Sequence, residues 1–299
     1  MPLQLSVVIP TYRRPELLRR CLDALTEQDL AADRFEVVVV DDGSGDATSE
    51  VLADAGGNVN AMTQPANAGP AAARNRGIQA ARGELVLFLD DDVTAAPDLL
   101  STHLALHDAA GDPTLGILGR VDWHPSISPT PFMRWLDRSG LQFAYDTWLR
   151  EGPVDPPYAA FYTANLSVPR ELLIAEGGFD ERFPYAAFED MELAFRLTKR
   201  GFRMDYRPQA RAFHTRAIAL PDFTARMTKV GESAELMRQA APEFPLDDSE
   251  LRGQDVGRVE LLRRRLGARG GDDAALARYY WAAVGRAYAA GRRRVRTSR

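Results

Sequence analysis

The 299-residue sequence has little cysteine and no long apolar run. Its one cysteine, Cys21, can form neither an intramolecular disulfide nor a cysteine metal site, which fits a reducing compartment. No stretch approaches the roughly 18 consecutive apolar residues of a membrane-spanning helix. The N-terminus enters a strand pattern without a basic stretch, so we expect no signal peptide and a cytoplasmic location.

The turn after the first predicted strand lacks glycine and reads Pro10-Thr-Tyr-Arg-Arg14. A dinucleotide-binding turn needs glycines at this position, because they let the backbone approach a pyrophosphate closely. The chain is therefore not expected to be a dinucleotide-binding Rossmann enzyme. Its 45% hydrophobic and 26% charged residues are ordinary for a soluble globular protein of one large or two modest domains.

Positive charge is concentrated towards the C-terminus. Residues 255–299 hold twelve arginines and four acidic residues, a net charge of +8, so residues 1–254 carry −13 of the total of −5. Such a basic segment either contacts anionic lipid headgroups or forms a solvated helix face. We expect peripheral contact with the inner face of the membrane through the Arg292–Arg296 tail and the tryptophan-bearing segment 123–157, and no nucleic-acid partner. The oligomeric state is open.

Short apolar runs alternate with helical patterns over the first 120 residues. This alternation predicts an α/β fold with a doubly wound, mixed, mainly parallel sheet, right-handed crossovers and helices on both faces. The predicted strands are 3–10, 35–40, 59–63, 85–89, 115–121, 161–168 and 202–206. After residue 221 the pattern is helical, with arginine-rich helices at about 255–267 and 272–290.

Carboxylates end two of the buried strands: Asp41 and Asp42 follow one, and Asp90, Asp91 and Asp92 follow another. Three adjacent carboxylates repel one another, so a divalent cation or a cationic partner is the economical explanation. The carboxyl ends of the strands are also where an open α/β sheet binds ligands. The alternative is an acidic turn left in water.

Two later segments have both structural and functional interpretations. Residues 123–157 hold three tryptophans and six prolines, and these aromatics form either core or a lid that faces an acceptor. Glu189 and Asp190 suit the first turn of a helix through the helix dipole alone, but they could equally serve a reaction.

Six segments in order resemble the family 2 glycosyltransferases of the GT-A fold. They are residues 7–14 (Val-Val-Ile-Pro-Thr-Tyr-Arg-Arg), 40–44 (Val-Asp-Asp-Gly-Ser), 67–75, 88–92 (Phe-Leu-Asp-Asp-Asp), 177–181 (Gly-Gly-Phe-Asp-Glu) and 189–190. The resemblance covers about residues 3–215. It implies transfer of a hexosyl group, with inversion, from a nucleoside diphosphate sugar to an acceptor hydroxyl with Mg²⁺ or Mn²⁺. A UDP-sugar is the favoured donor, and the acceptor is a carbohydrate or a lipid-linked molecule in polysaccharide or glycolipid synthesis.

The resemblance also implies domains and residue roles. A GT-A domain would span 1–220, with a nucleotide-sugar half (1–121) and an acceptor half (122–220), before a helical arginine-rich extension (221–299). Asp190 matches the catalytic base; Asp92 would contact the metal, and Asp90 the ribose or a metal-bound water. His214 either completes the metal site or is structural. Contacts with the nucleotide sugar are implied for Pro10, Thr11, Tyr12, Arg14, Asp42, Asn67, Gly69, Arg74, Asp90 and Asp91, and contacts with the acceptor for Asn165, Glu189 and Trp123.

Two other functions are weighed. Residues 90–94 also fit the Asp-x-Asp-x-Thr signature of haloacid-dehalogenase-like phosphatases, whose first aspartate, here Asp90, is a nucleophile. That family places the signature on its first strand and needs a downstream lysine, whereas this chain has it after the fourth strand and holds only Lys199 and Lys229. A non-catalytic nucleotide-sugar-binding scaffold would require a broken metal or base position, and none is visible.

Overall fold

The computed structural model describes residues 3–297, which form an α/β fold. Its strands are β1 (Leu5–Thr11), β2 (Phe35–Asp41), β3 (Val59–Thr63), β4 (Leu85–Leu89), β5 (Val93–Ala95), β6 (Leu115–Trp123), β7 (Gly152–Pro153), β8 (Asn165–Pro169) and β9 (Arg203–His214). Its helices are α1 (Pro15–Thr26), α2 (Thr48–Ala53), α3 (Pro70–Ala80), α4 (Leu99–Ala110), α5 (Pro131–Ser139), α6 (Arg170–Ala175), α7 (Glu189–Thr198), α8 (Leu220–Ala240), α9 (Ser249–Gly253), α10 (Arg258–Gly267) and α11 (Asp273–Thr297). Short 3₁₀ helices cover Pro157–Ala159 and Ala268–Gly270.

The strands form one mixed sheet with the order β3-β2-β1-β4-β8-β6-β9-β5, and β7 pairs with β9. The half made of β3, β2, β1 and β4 is entirely parallel. Beyond β4 the pairings are mixed: β8 is antiparallel to β4 and β6, and β6 is parallel to β9. The predicted α/β class and mixed sheet are confirmed.

The parallel half forms because its strands are nearly continuous apolar runs that can be buried on both faces. In β1, for example, Val7, Val8 and Ile9 are all fully buried. Helix α3 lies against β1 so closely that a Cβ atom on Gly77 would come within 2.4 Å of a Val8 methyl group. This contact fixes the helix whose beginning approaches the carboxyl edge of the sheet.

Two differences between the sheet and the sequence prediction bear on the site. The last strand was expected at 202–206, but β9 continues to His214. Residues Val93–Ala95 form the unpredicted strand β5, which runs antiparallel to β9 with Val93 opposite His214. A three-residue strand is too short for its periodicity to be read from the sequence. The pairing brings the end of the aspartate run alongside His214.

The chain divides into two compact units, the first formed by residues 1–128 and 140–217 and the second by 129–139 and 218–299. The expected domain boundary at residue 220 stays a prediction. Helix α5 belongs to the second of these units. There Phe132 and Trp135 contact the ring of Tyr280. Trp135 is 5% exposed and therefore belongs to the core rather than to a lid.

The second unit is built on the close pairing of α8 with α11. A Cβ atom on Gly231 would lie 2.0 Å from the carbonyl oxygen of Tyr288, and one on Gly291 would lie 1.8 Å from that of Thr228. Glycine is required at both points because any larger residue would push the helices apart. Within residues 3–297 no helix has the length and apolarity to cross a membrane.

Candidate active site

The three aspartates after β4 have different surroundings, beginning with Asp91. Its carboxylate is 4% exposed. It accepts hydrogen bonds from the hydroxyl of Thr11 at 2.8 Å and the guanidinium of Arg14 at 2.9 Å. Burial raises the pKa of Asp91 to about 6, against the effect of the Arg14 charge. Asp91 therefore fixes the end of β4 to the end of β1, and its contact with the nucleotide sugar stays a prediction.

Asp92 is surrounded by cationic groups. Its carboxylate oxygens lie 3.4 Å from Arg14, 3.5 Å from Arg216 and 3.6 Å from Nδ1 of His214. Burial alone would raise the pKa of Asp92, but His214 and the two arginines outweigh it and hold the pKa well below its ordinary value. Asp92 is thus an anion at neutral pH. Arg216 was not among the predicted site residues, although it lies two positions after His214.

The imidazole of His214 lies between two aromatic rings. Phe143 stacks on it with ring centres 5.6 Å apart, and Trp123 lies on it at 5.7 Å with a tilt of 35°. While Nδ1 faces Asp92, Nε2 is buried and makes no hydrogen bond within the described residues. A buried polar atom without a partner is unusual and suggests that something else binds it. Nothing in the sequence around Phe143 indicated this contact.

Arg74 joins two carboxylates from different parts of the fold. Its guanidinium donates to Glu189 at 2.8 Å and to Asp90 at 3.2 Å, and its side chain is only 4% exposed. The residue was expected to approach the nucleotide or its phosphates; in this fold its charge is already shared between these two partners. The pair brings the beginning of α7 next to the aspartate run.

The start of α7 has a strained backbone. Phe188 has φ +70°, a left-handed conformation that is uncommon for a bulky residue and is often found at functional sites. The next residue, Glu189, is 2% exposed, and burial followed by the neighbouring Asp190 charge raises the pKa of Glu189 to about 7. A carboxyl group buried beside Arg74 does not lie at an open surface, so we no longer assign Glu189 to acceptor contact.

Asp190 lies in the first turn of α7 and is only partly buried. Its Oδ1 accepts a hydrogen bond from the backbone N–H of Met191 at 2.8 Å. Its charge is near enough to raise the pKa values of both Arg74 and Tyr162. The N-terminus of a helix stabilises a carboxylate, so Asp190 is a partly exposed carboxylate close to the bridge that Arg74 forms between Glu189 and Asp90, here called the Arg74 bridge.

Asp42 organises the loop that leads into α3. Its oxygens accept hydrogen bonds from Gln64 at 2.6 Å and from the backbone N–H groups of Ala68 and Gly69 at 2.8 and 2.9 Å. Gly69 has φ +94°, which favours glycine at this point. The predicted contact between Asp42 and a nucleotide base stays a prediction, since the carboxylate is 4% exposed and holds this loop.

Three further residues that were predicted to contact the nucleotide sugar, Pro10, Tyr12 and Asn67, lie in or near the loops at the carboxyl edge of the sheet. Pro10 and Tyr12 lie at the end of β1, where Tyr12 is 36% exposed and Arg13 lies over its ring at 5.0 Å. Asn67 is exposed in the loop before α3. These three are open to a ligand, in contrast to the hydroxyl of Thr11, which is bonded to Asp91.

Asn165 is fully buried, contrary to its expected contact with an acceptor. Its amide oxygen lies 2.9 Å from Nε2 of His103, and its amide nitrogen donates to the carbonyl groups of Arg120 and Ala210 at 3.2 and 2.9 Å. All its polar atoms are used inside the sheet. We therefore give Asn165 a structural role, in which it ties β8 to α4, β6 and β9.

The residues around Asp92 fit a hard divalent cation. The carboxylates of Asp90 and Asp92 and the unpartnered Nε2 of His214 are oxygen and nitrogen donors of the kind that Mg²⁺ and Mn²⁺ accept. Within residues 3–297, however, no three His, Cys, Asp or Glu side chains are already grouped to hold a metal. A cation at this position would therefore take further ligands from water or from phosphate oxygens.

Comparison with known proteins identifies the family. The model of Glycosyl transferase family 2 matches residues 6–162, more than half of the chain. A validoxylamine A glucosyltransferase from Streptomyces hygroscopicus subsp. jinggangensis is 32% identical over 222 residues, 67% of this chain and 52% of the relative. A pre-mycofactocin glycosyltransferase from Mycobacterium tuberculosis is 32% identical over 241 residues, 80% of this chain and 48% of the relative. The chain thus spans about half the length of these curated relatives.

Two solved structures have a fold similar to that of this chain. The mannosyltransferase PcManGT from Pyrobaculum calidifontis, in complex with GDP-Man and Mn²⁺, has a TM-score of 0.65 at 19% identity, covering 100% of this chain and 90% of that one. TarS 1–349 from S. aureus, in complex with UDP, has a TM-score of 0.60 at 19% identity, covering 99% and 92%. The family match covers β2 and β4, the strands that lead into the aspartates, and the chain belongs to glycosyl transferase family 2 and has the GT-A fold.

Proposed function

We propose that the chain transfers a hexosyl group from a nucleoside diphosphate sugar, preferably a UDP-sugar, to an acceptor hydroxyl with inversion at the anomeric carbon. The observation that carries this proposal is the Arg74 bridge, because it links Asp90 of the aspartate run to the helix that begins with Glu189 and Asp190. A site for an anionic donor and a carboxylate base are thereby joined at one edge of the sheet.

The charges around Asp92 support binding of a diphosphate. Arg14 and Arg216 lie beside it with side chains 42% and 40% exposed, so both can reach a ligand from their present positions. Arginine binds phosphate oxygens with its planar, doubly donating guanidinium. In the proposed complex these two residues stabilise the negative charge that grows on the leaving diphosphate.

A divalent cation, Mg²⁺ or Mn²⁺, held by Asp92 and Asp90 with His214, would add Lewis-acid stabilisation of the leaving group. PcManGT, a fold relative, was solved with GDP-Man and Mn²⁺, and this supports a cation in the proposed site. Asp91, which is buried against Thr11 and Arg14, keeps the loop in place.

Asp190 is the proposed general base. An acceptor hydroxyl is too weak an acid to ionise at neutral pH, so its proton passes to a positioned carboxylate as the new bond forms. The acceptor oxygen bonds to the anomeric carbon from the side opposite the diphosphate, the bond from that carbon to the diphosphate breaks, and its electron pair leaves with the phosphate oxygen. One carboxylate suffices for this inverting displacement, unlike the pair that a glycoside hydrolase uses.

The acceptor is proposed only as a class, a carbohydrate or lipid-linked hydroxyl in polysaccharide or glycolipid synthesis. Trp123 lies on His214 at the end of β6 and is the predicted acceptor residue that we retain. The phosphatase alternative is not favoured. Of the two lysines in the chain, Lys199 lies over the ring of Phe195 at the far end of α7 rather than near Asp90.

Replacing the base tests the proposal. We expect Asp190→Asn to lower transfer by on the order of 10²-fold or more while the donor still binds, because only proton transfer is lost. Release of nucleoside diphosphate from UDP-sugars, measured with a panel of acceptors, gives the turnover, and calorimetry gives the donor affinity. Glu192→Gln is the matched control, since Glu192 is in the same helical turn but pairs with Arg196. Near-normal turnover of Asp190→Asn would remove Asp190 from the mechanism.

A further inference from the structure

Helix α10 carries an apolar stripe in contact with solvent. Val259, Leu262 and Leu266 are 84%, 54% and 47% exposed, and they are half of the six large hydrophobic side chains that are exposed in residues 3–297. Their spacing of three and four residues puts them on one face of the helix. Single exposed hydrophobic residues are common in proteins, but an aligned group of this kind indicates a surface that binds something.

Unpaired arginines border this stripe. Arg258, Arg263 and Arg265 are exposed on α10, Arg269 follows it in a 3₁₀ turn, and none of them forms an ion pair within the described part of the chain. Helical geometry puts Arg263 on one side of the stripe and Arg258 and Arg265 on the other. The acidic residue of the helix, Glu260, lies on the opposite face and is neutralised by Arg264 at 2.9 Å.

The arginines of the C-terminal tail, unlike those on α10, form ion pairs. Arg292 pairs with Glu235, Arg293 with Asp255 at 2.6 Å, Arg294 with Glu232 at 3.0 Å and Arg296 with Glu235 at 3.2 Å. The sequence led us to expect membrane contact at this tail. The charge of Arg292, Arg293, Arg294 and Arg296 is already used inside the second unit, whereas Arg258, Arg263 and Arg265 of α10 are exposed and not engaged in ion pairs within residues 3–297.

We infer that α10 is an interfacial helix that binds the surface of an anionic lipid bilayer. The stripe would enter the boundary between headgroups and acyl chains, while the arginines on both sides extend to the lipid phosphates. An anionic bilayer offers an apolar interior for the stripe and phosphate groups for the arginines. Nucleic acid would neutralise the arginines but leave the apolar stripe in water, and a protein partner would need an apolar centre with acidic borders on two sides. The inference does not depend on the proposed function.

Co-sedimentation of the full chain with vesicles tests this inference. With vesicles of equal parts phosphatidylglycerol and phosphatidylcholine we expect binding that weakens as salt is added, and with phosphatidylcholine alone we expect little. Arg263→Gln with Arg265→Gln should weaken binding by about fivefold per arginine. Leu262→Ser with Leu266→Ser leaves the charge unchanged and should weaken binding by at least tenfold, because insertion is lost.

The matched control is Arg293→Gln with Arg294→Gln, which removes the same charge from paired arginines and should change binding less than twofold. Thermal melts of every variant check that folding is kept. The inference is overturned by equal losses in the two arginine variants or by no binding of the wild type to anionic vesicles. It is also overturned if the stripe instead mediates a dimer, seen in sedimentation velocity and abolished by the serine variant, without vesicle binding.

Discussion

The guanidinium of Arg74 lies between two carboxylates that belong to different elements. Glu189 and Arg74 are both almost completely buried, at 2% and 3% exposure, so the charge of Glu189 depends on Arg74, which also donates to Asp90. The Arg74 Nε atom and the Glu189 Oε2 atom are buried and make no hydrogen bond within the described residues. An ion pair of this kind adds little net stability, but removal of one partner leaves an uncompensated buried charge.

A double-mutant cycle should therefore show strong coupling. We expect Arg74→Met to lower the free energy of unfolding by about 3–5 kcal/mol at neutral pH, and Glu189→Gln to lower it by less, because Arg74 still donates to Asp90. The double variant should lose less stability than the two single variants lose in sum, which corresponds to a coupling free energy of about 1–3 kcal/mol. Urea denaturation of the four proteins measures this. The same cycle made with the exposed pair Arg19 and Asp54 serves as the control, for which coupling below about 1 kcal/mol is expected. Additivity at Arg74 and Glu189 would contradict the bridge.

Much of the candidate site could be predicted from single residues and their order. The aspartates after an apolar run, and the acidic start of a helix, are local patterns that follow from the position of strand and helix ends. Arg14 and His214 were expected in the site through the resemblance, but the contact of Arg216 with Asp92 could not be predicted, because it joins residues that are far apart in the sequence. The resemblance implied that Asn165 contacts an acceptor, whereas its burial results from the position of β8 inside the sheet.

Among the elements, the strands of the parallel half were the most predictable. Each of β1, β2 and β4 is an apolar run bounded by polar residues, and β4 has the bounds expected from the sequence. Strands β5 and β9 were less predictable, because their pairing depends on a contact between residues more than a hundred positions apart. That pairing brings His214 to Asp92, so the strands that are hardest to predict from the sequence are also those that bring His214 into the site.

Helix α4 is joined to β8 by a buried polar group that responds to pH. His103 is fully buried, with one ring nitrogen 2.8 Å from the hydroxyl of Ser167 and the other 2.9 Å from Asn165. Burial lowers the pKa of His103 to about 4 from its ordinary value of 6.5. Between these two pH values the unfolded chain binds a proton here and the folded chain does not.

Stability should consequently fall as the pH drops from about 6.5 towards about 4, by up to about 3 kcal/mol from His103 alone. Urea denaturation at several pH values measures the slope. The variant His103→Gln lacks this contribution. The difference in free energy of unfolding between the wild type and this variant should therefore shrink as the pH falls. His124→Gln changes a histidine that is only partly buried and should keep the wild-type slope. An unchanged slope in His103→Gln would show that another group is responsible.

At the scale of the whole molecule, residues 1–254 carry a strongly negative net charge, so binding of an anion there requires a local cluster of cations. A chain with a net charge of −13 over this region would repel a nucleoside diphosphate, unless positive groups are concentrated where it binds. The arginines beside Asp92 provide such a concentration, and a divalent cation would increase it. Donor binding should therefore depend on the metal as well as on the base of the nucleotide.

A thermal-shift panel of UDP-, GDP- and dTDP-sugars, each with and without Mn²⁺, tests this dependence. A ligand at about 100 times its Kd stabilises the folded chain by about 2.7 kcal/mol, which should raise the melting temperature by several degrees. We expect the largest rise with a UDP-sugar and Mn²⁺ together, and only a small one with either alone. Asp92→Asn should abolish the part that needs the metal, whereas Asp54→Asn, at an exposed position, should keep it. An equal shift without Mn²⁺, or an undiminished one in Asp92→Asn, would mean that the donor binds without this carboxylate.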